Sequence, residues 1–102
     1  TKRRADLLQQ KAGMLIRNDR LDDAKSIFEE LERNFPDEIA YKNNTAFTDL
    51  LLNDYIGGEK KARDALSLKP DDPVALCNLV TALYMAGKRA ELKEYAEILA
   101  KC

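Results

Sequence analysis

Proline stands at positions 36 and 70, and each follows an apolar helical run: Ile27-Phe28-Glu29-Glu30-Leu31 before the first, Ala62-Arg63-Asp64-Ala65-Leu66-Ser67-Leu68 before the second. The offset of 34 residues between them recurs along the chain. It relates Ala12, Ala46 and Val80, then Leu21, Tyr55 and Arg89, then Phe28, Ala62 and Ala96, and also Leu31, Ala65 and Leu99. A period of this length marks a supersecondary unit that cannot bury its apolar face alone, so successive units must stack to share one core.

Each unit reads as a pair of helices. Leu8, Ala12 and Leu15 form one helical stripe, and Leu21, Ala24, Ile27, Phe28 and Leu31 form another. Between them, Asn18-Asp19 is expected to end one helix and cap the next, Asn by tolerating a left-handed backbone and Asp by accepting from free amides. Pro36-Asp37 and Asp72-Pro73 are expected to open the third and fifth helices, with Asp72 as cap and Pro73 in the first helical position. Gly87 closes the fifth helix. No stretch alternates with period two, so the fold class is all-α.

The middle unit departs from this pattern. Its first helix carries Thr45 and Asp49 where apolar residues are expected, and Gly57-Gly58 falls at the start of its second. Each Gly costs a helix about 1 kcal/mol relative to Ala. The fourth helix is therefore expected to begin late, with a longer loop over Asp54 to Gly58 and a close-lying neighbour there.

On these residues the chain resembles the tetratricopeptide repeat (TPR) family. Asn18-Asp19-Arg20-Leu21-Asp22-Asp23-Ala24 and Ala86-Gly87-Lys88-Arg89-Ala90-Glu91-Leu92 are similar to the family's inter-helix turn and second helix, and Leu68-Lys69-Pro70-Asp71-Asp72-Pro73 to its junction between repeats. The resemblance implies three stacked antiparallel helix-turn-helix hairpins, six helices in all, forming a short right-handed solenoid. It divides a single domain, 1–102, into repeats of about 5–38, 39–72 and 73–102. The opening without Met and the end at Lys101-Cys102 inside a helical pattern leave room for a longer chain.

Composition narrows the function classes. With 45% apolar and 34% charged residues the chain should fold, and its net charge of -1 supplies no global field for nucleic acid. No apolar run approaches the roughly 18 residues of a membrane span, and no signal-peptide core follows Thr1-Lys2-Arg3-Arg4. A cytoplasmic location is expected. Cys77 and Cys102 lack metal-ligand spacing and there is no His, so no metal and no cofactor is expected. A bridge between the two thiols needs α-carbons within about 7 Å, which sequence does not establish. Free thiols fit a reducing compartment.

Catalysis finds few candidates. Cys77 has no His to activate it. The pairs Asp22-Asp23 and Asp71-Asp72 lie at helix starts, where the macrodipole favours negative charge. Gly57-Gly58-Glu59-Lys60-Lys61 lacks the spacing of a phosphate-binding loop. The basic clusters Lys2-Arg3-Arg4, Lys60-Lys61 with Arg63, and Lys88-Arg89 read as solvated surface, and Glu29-Glu30 with Glu32 as the wet outer face of the second helix. The chain is expected to be no enzyme.

By resemblance, the concave groove is lined by the first helix of each hairpin. Its positions are Gln9, Gln10, Gly13 and Arg17, then Asn43, Asn44, Phe47 and Leu51, then Asn78, Thr81 and Met85. Gln10, Asn44 and Asn78 again lie 34 residues apart and are expected to form a row of amides. Such a row offers donors and acceptors to the backbone of an extended peptide, or it is merely the solvated side of an unused face. Family members that bind chaperone tails clamp a carboxylate with Lys, Asn and Arg. At the matching positions stand Gln9, Gly13, Asn44, Val74 and Asn78, of which only Asn44 agrees, so a terminal carboxylate is not the expected ligand. Phe47 is expected in the core. The resemblance implies a peptide-binding adaptor. The alternatives are a self-association module, motivated by the lack of a capping helix after the sixth, and an accessory domain of a larger enzyme.

Overall fold

A computed structural model of residues 1–102 contains six helices and no strand: α1 (Lys2–Arg17), α2 (Leu21–Asn34), α3 (Ile39–Leu51), α4 (Tyr55–Leu68), α5 (Pro73–Ala86) and α6 (Arg89–Ala100). They pair as three TPR-type hairpins stacked along a body of 40 × 25 × 19 Å.

The turn inside each hairpin repeats one backbone device. Asp19, Asn53 and Gly87 are the three residues with positive φ, at 59°, 64° and 73°, and they lie 34 residues apart. The amide after each reaches back to the helix it leaves, Arg20 N to Leu15 O at 2.8 Å, Asp54 N to Asp49 O at 2.8 Å and Lys88 N to Leu83 O at 3.0 Å. These bonds satisfy carbonyls that a helix end otherwise strands. The expectation for Asn18-Asp19 is corrected here. Asp19, not Asn18, takes the left-handed conformation. Asn18 donates its Nδ2 to Met14 O, and α2 starts from Arg20 with no side-chain cap.

Asp72 caps α5 as expected, accepting from Ala75 N at 3.0 Å with Pro73 in the first turn. Pro36 and Asp37, by contrast, do not open α3. Glu38 N bonds back to Phe35 O, so both residues fill a turn and the helix begins at Ile39.

The late start expected for α4 is also overturned. The helix begins at Tyr55, capped by Asp54, whose side chain accepts from Gly57 N at 2.9 Å. Gly57 and Gly58 sit inside it because larger residues do not fit. A Cβ at Gly58 would lie 2.7 Å from Leu50 Cδ2, and one at Gly57 would run into the Asp54 carboxylate and stand 3.0 Å from Asp49 Oδ2. The neighbour anticipated at this point is α3, and its close packing offsets the helix cost of glycine.

Small side chains let the helices approach. Ala5, Ala12, Ala24, Phe28, Leu31 and Tyr41 form one core across α1, α2 and α3, and Ala46, Ala62, Leu79 and Leu83 form a second across α3, α4 and α5. Thr45 and Thr48 are fully buried, and their hydroxyls donate to the carbonyls of Tyr41 and Asn44, so no polar group is stranded there.

Charged groups lock neighbouring hairpins together. Glu32 is not on a wet outer face: its side chain is 12% exposed and lies 3.1 Å from Lys42 Nζ and 2.9 Å from Lys61 Nζ, joining α2 to α3 and α4. Burial opposes its ionisation, yet the two ammonium groups win and hold its carboxyl below the usual glutamate range. The basic clusters divide accordingly. Lys61 serves Glu32, while Arg63 pairs with Glu59 and Glu91 and Lys88 with Glu59. Lys2, Arg3, Arg4, Lys60 and Arg89 remain on the surface.

Candidate functional site

α3 and α5, the first helices of the second and third hairpins, lie side by side and leave a trough between them. On α3, Phe47 and Leu51 are one turn apart and point to this side, while Tyr41, Thr45 and Thr48 are buried. On α5 the stripe Val74, Cys77, Asn78, Thr81 and Met85 faces them at helical spacing. Leu50 and Pro73 complete a cavity of about 520 Å³.

The side chains at its mouth are large, apolar and open to solvent. Phe47 is 48% exposed, Leu51 42% and Val74 54%. Phe47 therefore is not a core residue, contrary to expectation: Ala46 and Leu50 take the buried side of α3, and the helical period leaves Phe47 pointing outward. None of the nine lining residues is charged, and α5 carries no charge along its whole length. The neighbouring cavity between α1 and α3, about 460 Å³, is different in kind, for it is rimmed by Lys2, Asp6 and Glu38. The concave side thus runs from a charged, polar end at α1 to an uncharged, apolar end at α5.

The residues read from sequence as groove positions do not all meet in the trough. Asn78, Thr81 and Met85 line the trough. Asn78 is 6% exposed and donates its Nδ2 to Asn43 O at 3.2 Å, and Thr81 donates its hydroxyl to Cys77 O, so both are partly engaged within the fold. Asn43 lies outside the trough, buried, with its Nδ2 on Asp72 Oδ2 at 3.1 Å. Its Oδ1 is buried without a partner, a cost of about 1–3 kcal/mol. Through Asp72, which also caps α5, this amide fixes α3 against the start of the next hairpin. Asn44 is half-buried and its amide makes no hydrogen bond within the chain. Gln10 borders a polar depression with Asp6 and Gln9, and Arg17 is exposed at the end of α1, away from the trough. Sequence reasoning did not place Cys77 in the groove, although it precedes Thr81 by one turn on the same stripe.

Both thiols are exposed and unbridged, and no three Cys, Asp or Glu side chains gather as metal ligands. No helix is long and apolar enough to cross a membrane.

The fold is shared with solved TPR structures. The first TPR domain of Spaghetti (RPAP3), bound to the HSP90 peptide SRMEEVD, superposes with a TM-score of 0.89 at 18% identity, over 95% of this chain and 79% of that one. PilF of Pseudomonas aeruginosa gives 0.80 at 17% identity, over 95% of this chain and 45% of that one. No curated protein matches the sequence significantly. The sequence profile of the coatomer epsilon subunit, a TPR-like helical family, matches residues 7–98, nearly the full set of helices. The chain belongs to the coatomer epsilon subunit family.

Proposed function

We propose that the chain is a non-catalytic, cytoplasmic interaction scaffold that holds a segment of another protein in the trough between α3 and α5. One observation carries the reading: Phe47, Leu51, Val74 and Met85 converge on a concave surface that has no charge. Covering such side chains gains about 25 cal/mol per Å² of apolar surface removed from water, and a segment bearing two or three apolar side chains suits a cavity of this size. Asn44, with its unengaged amide, and Asn78 beside it would meet the segment's backbone. Gln10 and Arg17 would contact only a ligand long enough to continue across α1.

The Spaghetti domain is bound to an acidic peptide. A ligand of that kind would find no cation in this trough, so the segment proposed here is apolar. The family is named for a subunit of an assembly, which makes another coat component the natural donor of the segment.

The test compares Phe47→Ser with Val74→Asp in the full-length protein, scored by co-purification with the other coatomer subunits. Both sites are exposed, so the helical melt should stay within about 1 kcal/mol of the parent, while association falls at least tenfold. Undiminished association of the double variant would sink the reading.

A further inference from the structure

Glu38 and Asp72 hold equivalent places, 34 residues apart and just before α3 and α5. Asp72 is engaged within the fold: its carboxylate accepts from Ala75 N at 3.0 Å and from Asn43 Nδ2 at 3.1 Å, which closes the junction between α3 and α5 at this point. Glu38 makes neither bond. It gives α3 no side-chain cap, and Gln9, the counterpart of Asn43 one repeat earlier, does not reach it. Asp6 is free as well, since neither acid enters any ion pair.

Both acids open on the cavity of about 460 Å³ between α1 and α3, whose wall also holds Lys2, Gln9 and the rings of Phe35 and Tyr41. Two carboxylates against one ammonium leave it net negative. Tyr41 points to a ligand independently of the acids. The residue is only 7% exposed, yet its hydroxyl has no hydrogen-bond partner in the chain, and a phenol at this depth ordinarily finds one. Burial, then the charges of Asp6 and Glu38, lift its pKa above the usual tyrosine range, so the hydroxyl lies in the field of both acids. The Phe35 ring, 38% exposed, stands 6.0 Å from that of Tyr41 at a tilt of 51°. The position of this face in the stack keeps it open. Asp6 and Gln9 correspond to Val74 and Cys77 of α5, which stay exposed with a full repeat packed before them. The opening therefore does not depend on what precedes α1.

We propose that this cavity binds an arginine side chain of a partner polypeptide, its guanidinium between the carboxylates of Asp6 and Glu38 and against the Phe35 and Tyr41 rings, with the Tyr41 hydroxyl accepting one of its N–H groups. A guanidinium is planar, carries five donors and stacks on aromatic faces, whereas a lysine ammonium is compact and holds its water more strongly. The uncharged trough offers a cation nothing. The two ends of the concave side thus divide one ligand, apolar side chains over α3 and α5 and an arginine at α1. For the source of that arginine the inference rests on the segment proposed for the trough, while the cavity's preference for a guanidinium stands apart from it.

The experiment follows amide chemical shifts of the full-length protein at low salt during titration with acetyl-Gly-Gly-Arg-Gly-Gly-amide. Counterpart peptides carry lysine or citrulline in place of arginine, and choline is the small-cation control. Saturable shifts are expected at Asp6, Glu38 and Tyr41 with the arginine peptide, at a Kd of about 1–5 mM because the acids are exposed. Lysine should bind several-fold more weakly, and citrulline and choline at least tenfold. Asp6→Asn with Glu38→Gln should weaken the arginine peptide at least tenfold, Tyr41→Phe, which keeps the ring, several-fold, and Lys2→Ala should tighten it. Unchanged helical melts verify that the variants fold. The acid double variant should also lower co-purification with the coat subunits several-fold. Phe47→Ser with Val74→Asp should leave the peptide titration unchanged, so failure of the trough reading and failure of this one appear in different signals. Citrulline, choline or lysine binding as tightly as arginine, an unaffected acid double variant in either assay, or no saturable shift by about 20 mM overturns the proposal.

Discussion

Lys25 of α2 lies 2.8 Å from Asp49 and 4.0 Å from Asp54; one repeat later, Glu59 of α4 lies 3.0 Å from Lys88. The two junctions between hairpins thus place a charge pair at the same positions with the signs exchanged. Stack geometry fixes where a pair forms, and either orientation of charge serves. Bulk differs as well. The first junction is filled by Phe28, Leu31 and Tyr41, with Glu32 tied to Lys42 and Lys61 beside them. The second packs the small Ala62 under Leu79 and Leu83 and carries its ionic network outside, where Arg63 lies 5.7 Å over the Tyr95 ring, while inside the hairpin that it joins Gly58 brings α4 close to Leu50 and Ala46 of α3. A junction filled by large side chains should suffer most from deletion, and a hairpin built on close approach, as α3 and α4 are at Gly58, should suffer most from addition.

Phe28→Ala is the sharpest test of the first half of that contrast. Phe28 is 4% exposed and central to its cluster, so truncation should cost about 3–5 kcal/mol in urea unfolding. A loss under about 1 kcal/mol would mean that the junction collapses around the cavity and does not depend on this ring.

Glycine substitutions test the second half. Gly58→Ala gains about 1 kcal/mol of helix propensity, but its Cβ meets Leu50 at 2.7 Å and Ala46 O at 3.4 Å. Overpacking of about 1–3 kcal/mol should win, leaving the protein destabilised by about 1 kcal/mol. Gly13→Ala adds the same methyl where nothing lies within 4 Å and should stabilise by about 0.5–1 kcal/mol. Equal shifts in melting temperature for the two variants would break the comparison.

What could be read in advance follows the same division between local and long-range causes. The 34-residue period and the helical stripes are local patterns, and the hairpins followed from them. The row Asp19, Asn53, Gly87 was also present in the sequence, but three different residue types disguised one backbone conformation. Phe47 was misjudged because amphipathic periodicity separates the sides of a helix without saying which side meets solvent across a concave surface. Gly57-Gly58 was misjudged because propensity was weighed without knowing how near Leu50 comes. Glu32 resembled any acid in a charged run until α3 and α4 brought Lys42 and Lys61 to it, partners 10 and 29 residues away.

The smallest expected effect concerns acid, and it distinguishes the junctions by sign. At the second, burial resists ionisation of Glu59 but Lys88 and Arg63 overcome it, and its pKa lies below 4.5. Its contribution to stability is present above that ordinary value and is lost as pH falls through the folded one. At the first, Asp49 is 3% exposed, and burial outweighs the nearby Lys25 and lifts its pKa above 3.8. An acid whose pKa is raised works the other way: its contribution is fully present below the ordinary value and is lost as pH rises through the folded one. Glu59→Gln should therefore lower the melting temperature at neutral pH and converge on the parent as pH falls through the folded value. Asp49→Asn removes the cost of a buried charge while Lys25, 27% exposed, can turn to water. It should be neutral or stabilising at pH 7 and lose that advantage in acid. Matching pH profiles for the two variants would show that the acids at the two junctions behave alike, with burial of Asp49 playing no part.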